Sequence, residues 1–270
     1  MGINLLLDFI FIIRMGFGVR AAAISNVMSK LVGLVMYIVL CRKEIRITLD
    51  RFAIYKRKMM ATIKGCLPLM GQELLEGSVF SLAVLAIIAR IGDYHLAAYL
   101  ILTLILSFVM MPVYMYGSAI LTLASQIDSS REEEKFFTLP KTGLILSLLI
   151  YIVVAVLLYI FRDVLPLIVT DNTDVVDIAA WFFAFMLIAR LFEIVSTIYR
   201  YSLQVIGQSK FVLYQTAIFN LLTVIILVTT TQVFNLGLYG VFVCLLINYT
   251  IVSIVYILKY NKTIRLTYGN

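Results

Sequence analysis

From Phe211 to Leu258 the sequence contains no charged residue. That is more than twice the about 20 apolar residues with which one helix crosses a bilayer. The break falls in Gln232-Val-Phe-Asn-Leu-Gly-Leu-Tyr-Gly240, where Asn and Gly interrupt the apolar pattern. The two halves are spans at 209–231 and 238–258, and further runs of spanning length fall at 19–41, 65–90, 96–127, 142–161 and 176–206. Ile3–Ile13 is apolar but too short to span. Composition agrees: 63% of the residues are hydrophobic and 14% charged, against roughly 25% charged in soluble chains. Mean hydropathy is +1.04. The expected fold class is an all-α integral membrane protein, a six-helix transmembrane bundle plus one preceding transmembrane helix.

The net charge of +7 lies in short segments between apolar runs, the pattern of the positive-inside bias rather than of a nucleic-acid surface. Residues 42–64 carry Arg42, Lys43, Arg46, Arg51, Lys56, Arg57, Lys58 and Lys64, which puts them in the cytoplasm. Alternation then places 91–95 outside, 128–141 with Arg131, Lys135 and Lys141 inside, and 162–175 outside. Residues 207–210 return inside, 232–237 lie outside, and the tail with Lys259, Lys262 and Arg265 is cytoplasmic. Arg14 and Arg20, on the outer side near the start, run against this order. The expected location is the cell inner (plasma) membrane, multi-pass.

Little here suits an enzyme. Cys41, Cys66 and Cys244 lie far apart, form no CxxC pair and read as buried thiols. His95 has no Cys or His neighbour at ligand spacing, which argues against a catalytic metal or haem. No nucleophile triad, P-loop or glycine fingerprint is present. The amino terminus lacks a basic n-region and carries Asp8 in its apolar stretch, unlike a signal peptide.

An internal similarity links the two ends. Gly18-Val-Arg-Ala-Ala-Ala23 opens a helix that exits at Tyr37…Cys41-Arg42-Lys43. Gly237-Leu-Tyr-Gly-Val241 opens one that exits at Tyr256…Tyr260-Asn261-Lys262, and Asn4 and Asn220 precede them at comparable distances. Read as parallel repeats of six helices, the chain carries the end of one unit and the whole of the next.

Charges deep in a membrane helix are costly and are functional candidates. Glu73 and Glu76 share a face, with Gln72 one turn before Glu76. Two carboxylates in low dielectric do not both keep their charge, so one is expected to take up a proton; the pair would alternatively ligate Na⁺. A solvated Glu73 near the cytoplasmic end is the plainer alternative. Arg190 and Glu193 are three apart near mid-span, either a satisfied ion pair or a carboxylate released by protonation. Lys30, midway along the first full helix, snorkels or faces a cavity. Pro112 is expected to kink its helix. Around it, Met110, Met111, Met115, Tyr114 and Tyr116 either line an adaptable pocket or face lipid.

Several strings resemble multidrug and toxic compound extrusion (MATE) transporters. Asn4-Leu-Leu-Leu-Asp8 with Gly16-Phe-Gly-Val-Arg-Ala-Ala-Ala-Ile-Ser-Asn26 is similar to the close of that family's first lobe. Cys66-Leu-Pro-Leu-Met-Gly-Gln-Glu-Leu-Leu-Glu76…Phe80 resembles the opening helix of the second lobe. Ile91-Gly92, Leu96-Ala-Ala-Tyr99, Met111-Pro112, Gly117 and Ala119 resemble the next helix. Leu203-Gln204 with Gly207-Gln-Ser-Lys210, and Gly237-Leu-Tyr-Gly240, resemble the tenth-to-eleventh turn and the twelfth helix.

The resemblance implies two six-helix bundles around a central cleft. It further implies export of organic, often cationic, compounds driven by inward flow of Na⁺ or H⁺, with no other cofactor. Glu76 matches the cation-binding glutamate of the Na⁺-type branch, so a Na⁺ would bind at Glu76. At the position of the tenth-helix acid stands Val195, with Glu193 two residues before it. The expected coupling residues are Glu76, helped by Glu73 or Glu193. Candidates for the substrate cleft are Lys30, Gln72, Met111, Tyr114 and Arg190.

The expected organisation is 1–41 as the end of the first lobe, 42–64 a basic cytoplasmic linker, 65–262 the six-helix second lobe and 263–270 a cytoplasmic tail. One bundle lacks a facing wall, so the partners expected are small organic substrates, the bilayer, and either a first lobe or a second copy of the chain. A fragment of a longer transporter and a half-size protein that pairs are both open. Rival readings are a lipid-linked oligosaccharide or polysaccharide flippase of the same superfamily, which should line its cleft with more Arg and Lys, then a seven-helix receptor and a membrane enzyme.

Overall fold

The computed structural model of the chain describes residues 7, 9–14, 18–42, 52–126 and 133–268. Asn4, Asp8, Gly16, Lys43, Arg46, Arg51 and Arg131 lie outside the described residues. The chain divides into two units, Met1–Lys64 and Gly65–Asn270. In the first, a π-helical turn (Phe9–Arg14) precedes helix α1 (Gly18–Leu40). Nearly every described side chain of α1 from Ile24 to Leu40 is exposed, with Ser25 buried.

Helix α2 (Phe52–Glu73) passes through Pro68 and leads into a π-helical stretch, Leu74–Phe80, continued by α3 (Ser81–Ala89). The stretch expected as a linker over 42–64 is therefore helical from Phe52, since no proline or glycine lies between Phe52 and Lys64 to stop it. Then follow α4 (Asp93–Gln126), α5 (Glu133–Ile160), a 3₁₀ turn (Pro166–Ile168) and α6 (Thr173–Val205). Helix α7 (Ser209–Val228) ends in a second π-helical stretch, Thr229–Val233, before α8 (Gly237–Tyr268).

Among the described residues six helices are long and apolar enough to cross a membrane. They are Thr62–Ala89, Asp93–Ala124, Phe136–Ile160, Thr173–Val205, Ser209–Val233 and Gly237–Leu266, and a shorter apolar helix, Ile24–Leu40, precedes them. The all-helical membrane fold is thus the one read from the apolar runs.

Several helices outrun those runs, because polar residues do not end a helix that tertiary contacts hold. Past Leu258, α8 is kept in place by Tyr256, Tyr260 and Ile264, buried with Phe136, Tyr199 and Val212. The Tyr260 hydroxyl donates to the Phe136 carbonyl at 2.5 Å.

The ends of the elements follow local chemistry. Asn172 caps α6 through Oδ1, which accepts from the amides of Asp174 (3.1 Å) and Val175 (3.3 Å). The turn before α8 has Asn235 at φ 50° and Gly237 at φ 56°, the left-handed conformation that the Asn-Leu-Gly break supplies. At the close of α7, Thr229, Thr230 and Thr231 each turn the hydroxyl back onto the carbonyl four residues earlier, at 2.9, 3.0 and 2.7 Å. Such back-bonding loosens the α-helical ladder, and here the helix widens to π geometry. Helix α4 stays helical through Pro112.

Helix α6 is the hub, packing on α4, α8, α5 and α7. Its Ala179, Phe183, Ile194, Ile198 and Leu203 are fully buried. Lipid tails are as apolar as leucine, so close packing and polar ties hold such bundles rather than hydrophobic transfer. Two ties reach α6 carbonyls: Tyr151 Oη of α5 donates to Leu187 (2.7 Å), and Ser253 Oγ of α8 to Phe192 (2.9 Å). Small residues allow close approach. A methyl group on Gly143 would lie 2.8 Å from Ile120 Cδ1, and one on Gly117 would overlap the ring of Tyr201.

Candidate functional site

The polar residues of α6 lie on one stripe. Arg190, Glu193 and Arg200, at positions i, i+3 and i+10, point to one side of a 3.6-residue repeat. They face a cavity of ≈ 480 Å³ in the second unit. The π-helical stretch brings Glu76 to the same cavity, with Glu73 at the exposed end of α2; α4 supplies Tyr99, Thr103 and Tyr114, α7 supplies Asn220, and α8 supplies Tyr249.

Each interior carboxylate has an arginine partner. Glu76 pairs with Arg200, 124 residues on, and Glu193 pairs with Arg190 within α6. The Arg190–Glu193 pair is the deeper, with 14% and 9% of the two side chains exposed; Glu76 is 37% exposed. Glu193 also accepts from Tyr114 Oη at 3.4 Å, and its own carbonyl accepts from Ser196 Oγ at 2.8 Å. Buried Gln72 extends the other pair: its Nε2 donates to Glu76 (3.4 Å), and its Oε1 accepts from Gln204 Nε2 (2.8 Å). The Arg200 guanidinium lies 5.3 Å from the centre of the Tyr201 ring. Two polar chains, Gln204–Gln72–Glu76–Arg200 and Tyr114–Glu193–Arg190, thus border one cavity.

The cavity is not fully satisfied. Arg190 Nε and Asn220 Nδ2 are buried without a hydrogen-bond partner among the described residues, and both residues line it. Asn248 Oδ1 is in the same condition at a smaller cavity of ≈ 30 Å³, shared with Glu76, Arg200, Thr216 and Asn220. Buried polar groups are otherwise nearly always paired, so unmet ones mark places for water, ions or ligand.

Of the residues singled out from sequence, Glu73, Glu76, Tyr114, Arg190 and Glu193 come together around this cavity, with Gln72 beside them. Met111 is exposed on α4 and does not line it, and Lys30 belongs to the first unit, where its side chain is exposed. The partner of Glu76 is a cation rather than Glu73. Arg200, Thr103 and Tyr249 were not singled out, and Asn220 and Tyr99 were noted only in the internal repeat and in the strings that carry the resemblance. For Arg200 the signal was available in its shared stripe with Arg190 and Glu193. Among the described residues, no group of three or more His, Cys, Asp or Glu is placed to hold a metal ion.

The fold and the sequence both have relatives. Residues 68–230 match a family model described as MatE. The chain is 27% identical over 186 residues to the probable multidrug resistance protein NorM of Thermotoga maritima, a match covering 66% of this chain and 39% of that protein. Its structure is similar to the Vibrio cholerae MATE transporter VcmN, with a TM-score of 0.82 and 19% identity over 98% of this chain and 60% of that one. A MOP superfamily transporter of Pyrococcus furiosus gives a TM-score of 0.79 and 19% identity over 97% and 60%. The chain therefore spans well under two thirds of the length of the relatives it matches. With the family model covering more than half of its residues, the chain belongs to the MATE family.

Proposed function

We propose that this chain is the second lobe of an antiporter that exports organic, often cationic, compounds, driven by inward flow of Na⁺ or H⁺. It works in the inner (plasma) membrane with its carboxyl terminus in the cytoplasm, as a transporter rather than an enzyme. The single observation carrying the reading is the pairing of Glu76 with Arg200 across the cavity. A carboxylate that takes a proton or Na⁺ loses its hold on the guanidinium, so occupancy by the coupling ion and the geometry of the cavity wall are linked. The Gln204–Gln72 bond carries that link to the base of α2. A first lobe, or a second copy of the chain, supplies the facing wall. Nothing in the relatives' names favours the flippase alternative.

The test is dye efflux from vesicles holding the chain joined to a matching first lobe, under an imposed pH or Na⁺ gradient. Glu76→Gln keeps the shape of the side chain but removes the charge that holds Arg200. Efflux should fall by at least about tenfold, the scale of one charge-assisted hydrogen bond. Undiminished, still ion-dependent efflux would remove Glu76 from the mechanism.

A further inference from the structure

We propose that the cavity receives the oxyanion end of a small organic ligand, a carboxylate, with Arg190 as its charge partner. This deepens the exporter reading and rests on it, since it names the chemistry that the same cavity recognises. The argument is one of supply and demand among polar atoms. Glu76 and Glu193 are each engaged by a guanidinium, so an entering cation has to displace an arginine to reach either. The unmet demand runs the other way. Arg190 spends Nη1 on Glu193 while its Nε is buried without a partner among the described residues. An arginine nitrogen only donates, so no rotation or tautomer reverses that demand, and only an acceptor satisfies it.

Asn220 Nδ2 on α7 is unpartnered in the same way, so two helices hold unmet donors beside one space. The planar guanidinium fork suits the two oxygens of a carboxylate. The volume of ≈ 480 Å³ is that of a small-molecule site. Phe80, Val84, Leu85 and Leu245 offer apolar wall for the rest of the molecule. Glu73, exposed at the end of α2, is the carboxylate without an arginine in this group and faces a cationic arm where the ligand has one.

The test uses three fluorescent probes that share a dansyl body and differ in the arm: dansylglycine (carboxylate), dansylcadaverine (ammonium) and dansylamide (neutral). Each is titrated against the purified full chain in detergent, reading the blue shift and its saturation. Dansylglycine is expected to bind saturably and the other two at least about tenfold more weakly, the scale of a lost charged hydrogen bond. In the charge-neutral double variant Arg190→Gln/Glu193→Gln that preference is expected to vanish. Asn220→Leu, which leaves both ion pairs in place, is expected to weaken dansylglycine alone and keeps the test decisive should the double variant not fold. Dansylcadaverine binding as tightly as dansylglycine, or dansylglycine affinity unchanged in the variants that fold, overturns the inference and leaves the exporter reading standing. Saturable binding of none of the three overturns the inference alone, since the exporter reading stands or falls on efflux.

Discussion

Arg190→Met is expected to destabilise the folded chain by about 3–5 kcal/mol, the cost of stripping one partner from a buried ion pair. The mutation leaves the Glu193 carboxylate, 9% exposed, with only the 3.4 Å bond from Tyr114 against its charge. An unpaired charge at that depth in a membrane helix is costly. Arg190→Met/Glu193→Met removes the whole pair and fills its volume with apolar atoms. Such replacements are often neutral or stabilising, so the double variant should recover most of the loss. Unfolding in graded denaturing detergent, followed by circular dichroism for the four proteins of the cycle, measures the coupling. If the double variant instead loses the sum of what the two single variants lose, the pair contributes nothing and the stripe on α6 is decoration.

The second large effect belongs to Gly117. Its missing side chain lets Tyr201 of α6 lie against the backbone of α4, and even one methyl group would overlap the ring. The ring is a stiff body close to its own backbone, not the tip of a flexible chain, so the two helices have to part. Overpacking of this kind costs about 1–3 kcal/mol, and occasionally more. Gly117→Ala should therefore lower stability by that amount, and in a Tyr201→Leu background the same change should cost less than half as much. Equal costs in both backgrounds would show that the ring is not what the methyl group meets. Because Tyr201 also lines the cavity beside Arg200, Gly117→Ala should depress efflux in step with stability.

The spans were legible because their signal is bulk: runs of apolar residues long enough to cross a bilayer, with few alternatives open to the backbone. The Asn-Leu-Gly break before α8 was legible because two of its residues adopt the left-handed conformation such residues favour. Interruptions of the helical repeat were harder to place. The π-helical stretches fall at Leu74–Phe80 and Thr229–Val233, away from Pro112. In the second, three threonines bonding back are the cause. The first owes its position to packing on α7, and no local sequence rule announces that.

The site was legible in part. Charged residues in an apolar run stand out singly, and so Glu76, Arg190 and Glu193 were found. The pairing of Glu76 with Arg200 was not, because the two lie 124 residues apart and meet through the fold. Arg200, close to the carboxyl-terminal end of α6 in Tyr199-Arg200-Tyr201, resembles an ordinary interfacial arginine until its face is worked out.

The π-helical stretch at Leu74–Phe80 bears on how this lobe diverges from its relatives. A π-turn holds one more residue than the α-turn it interrupts. Losing a single position there would wind the segment back into a regular helix, redirecting the side chains inside the stretch, Glu76 among them, while the helices on either side keep their faces. The acid that meets Arg200 would then come from a different place in the chain, without any exchange of one amino acid for another. In this segment polarity is inherited through length as well as through letters.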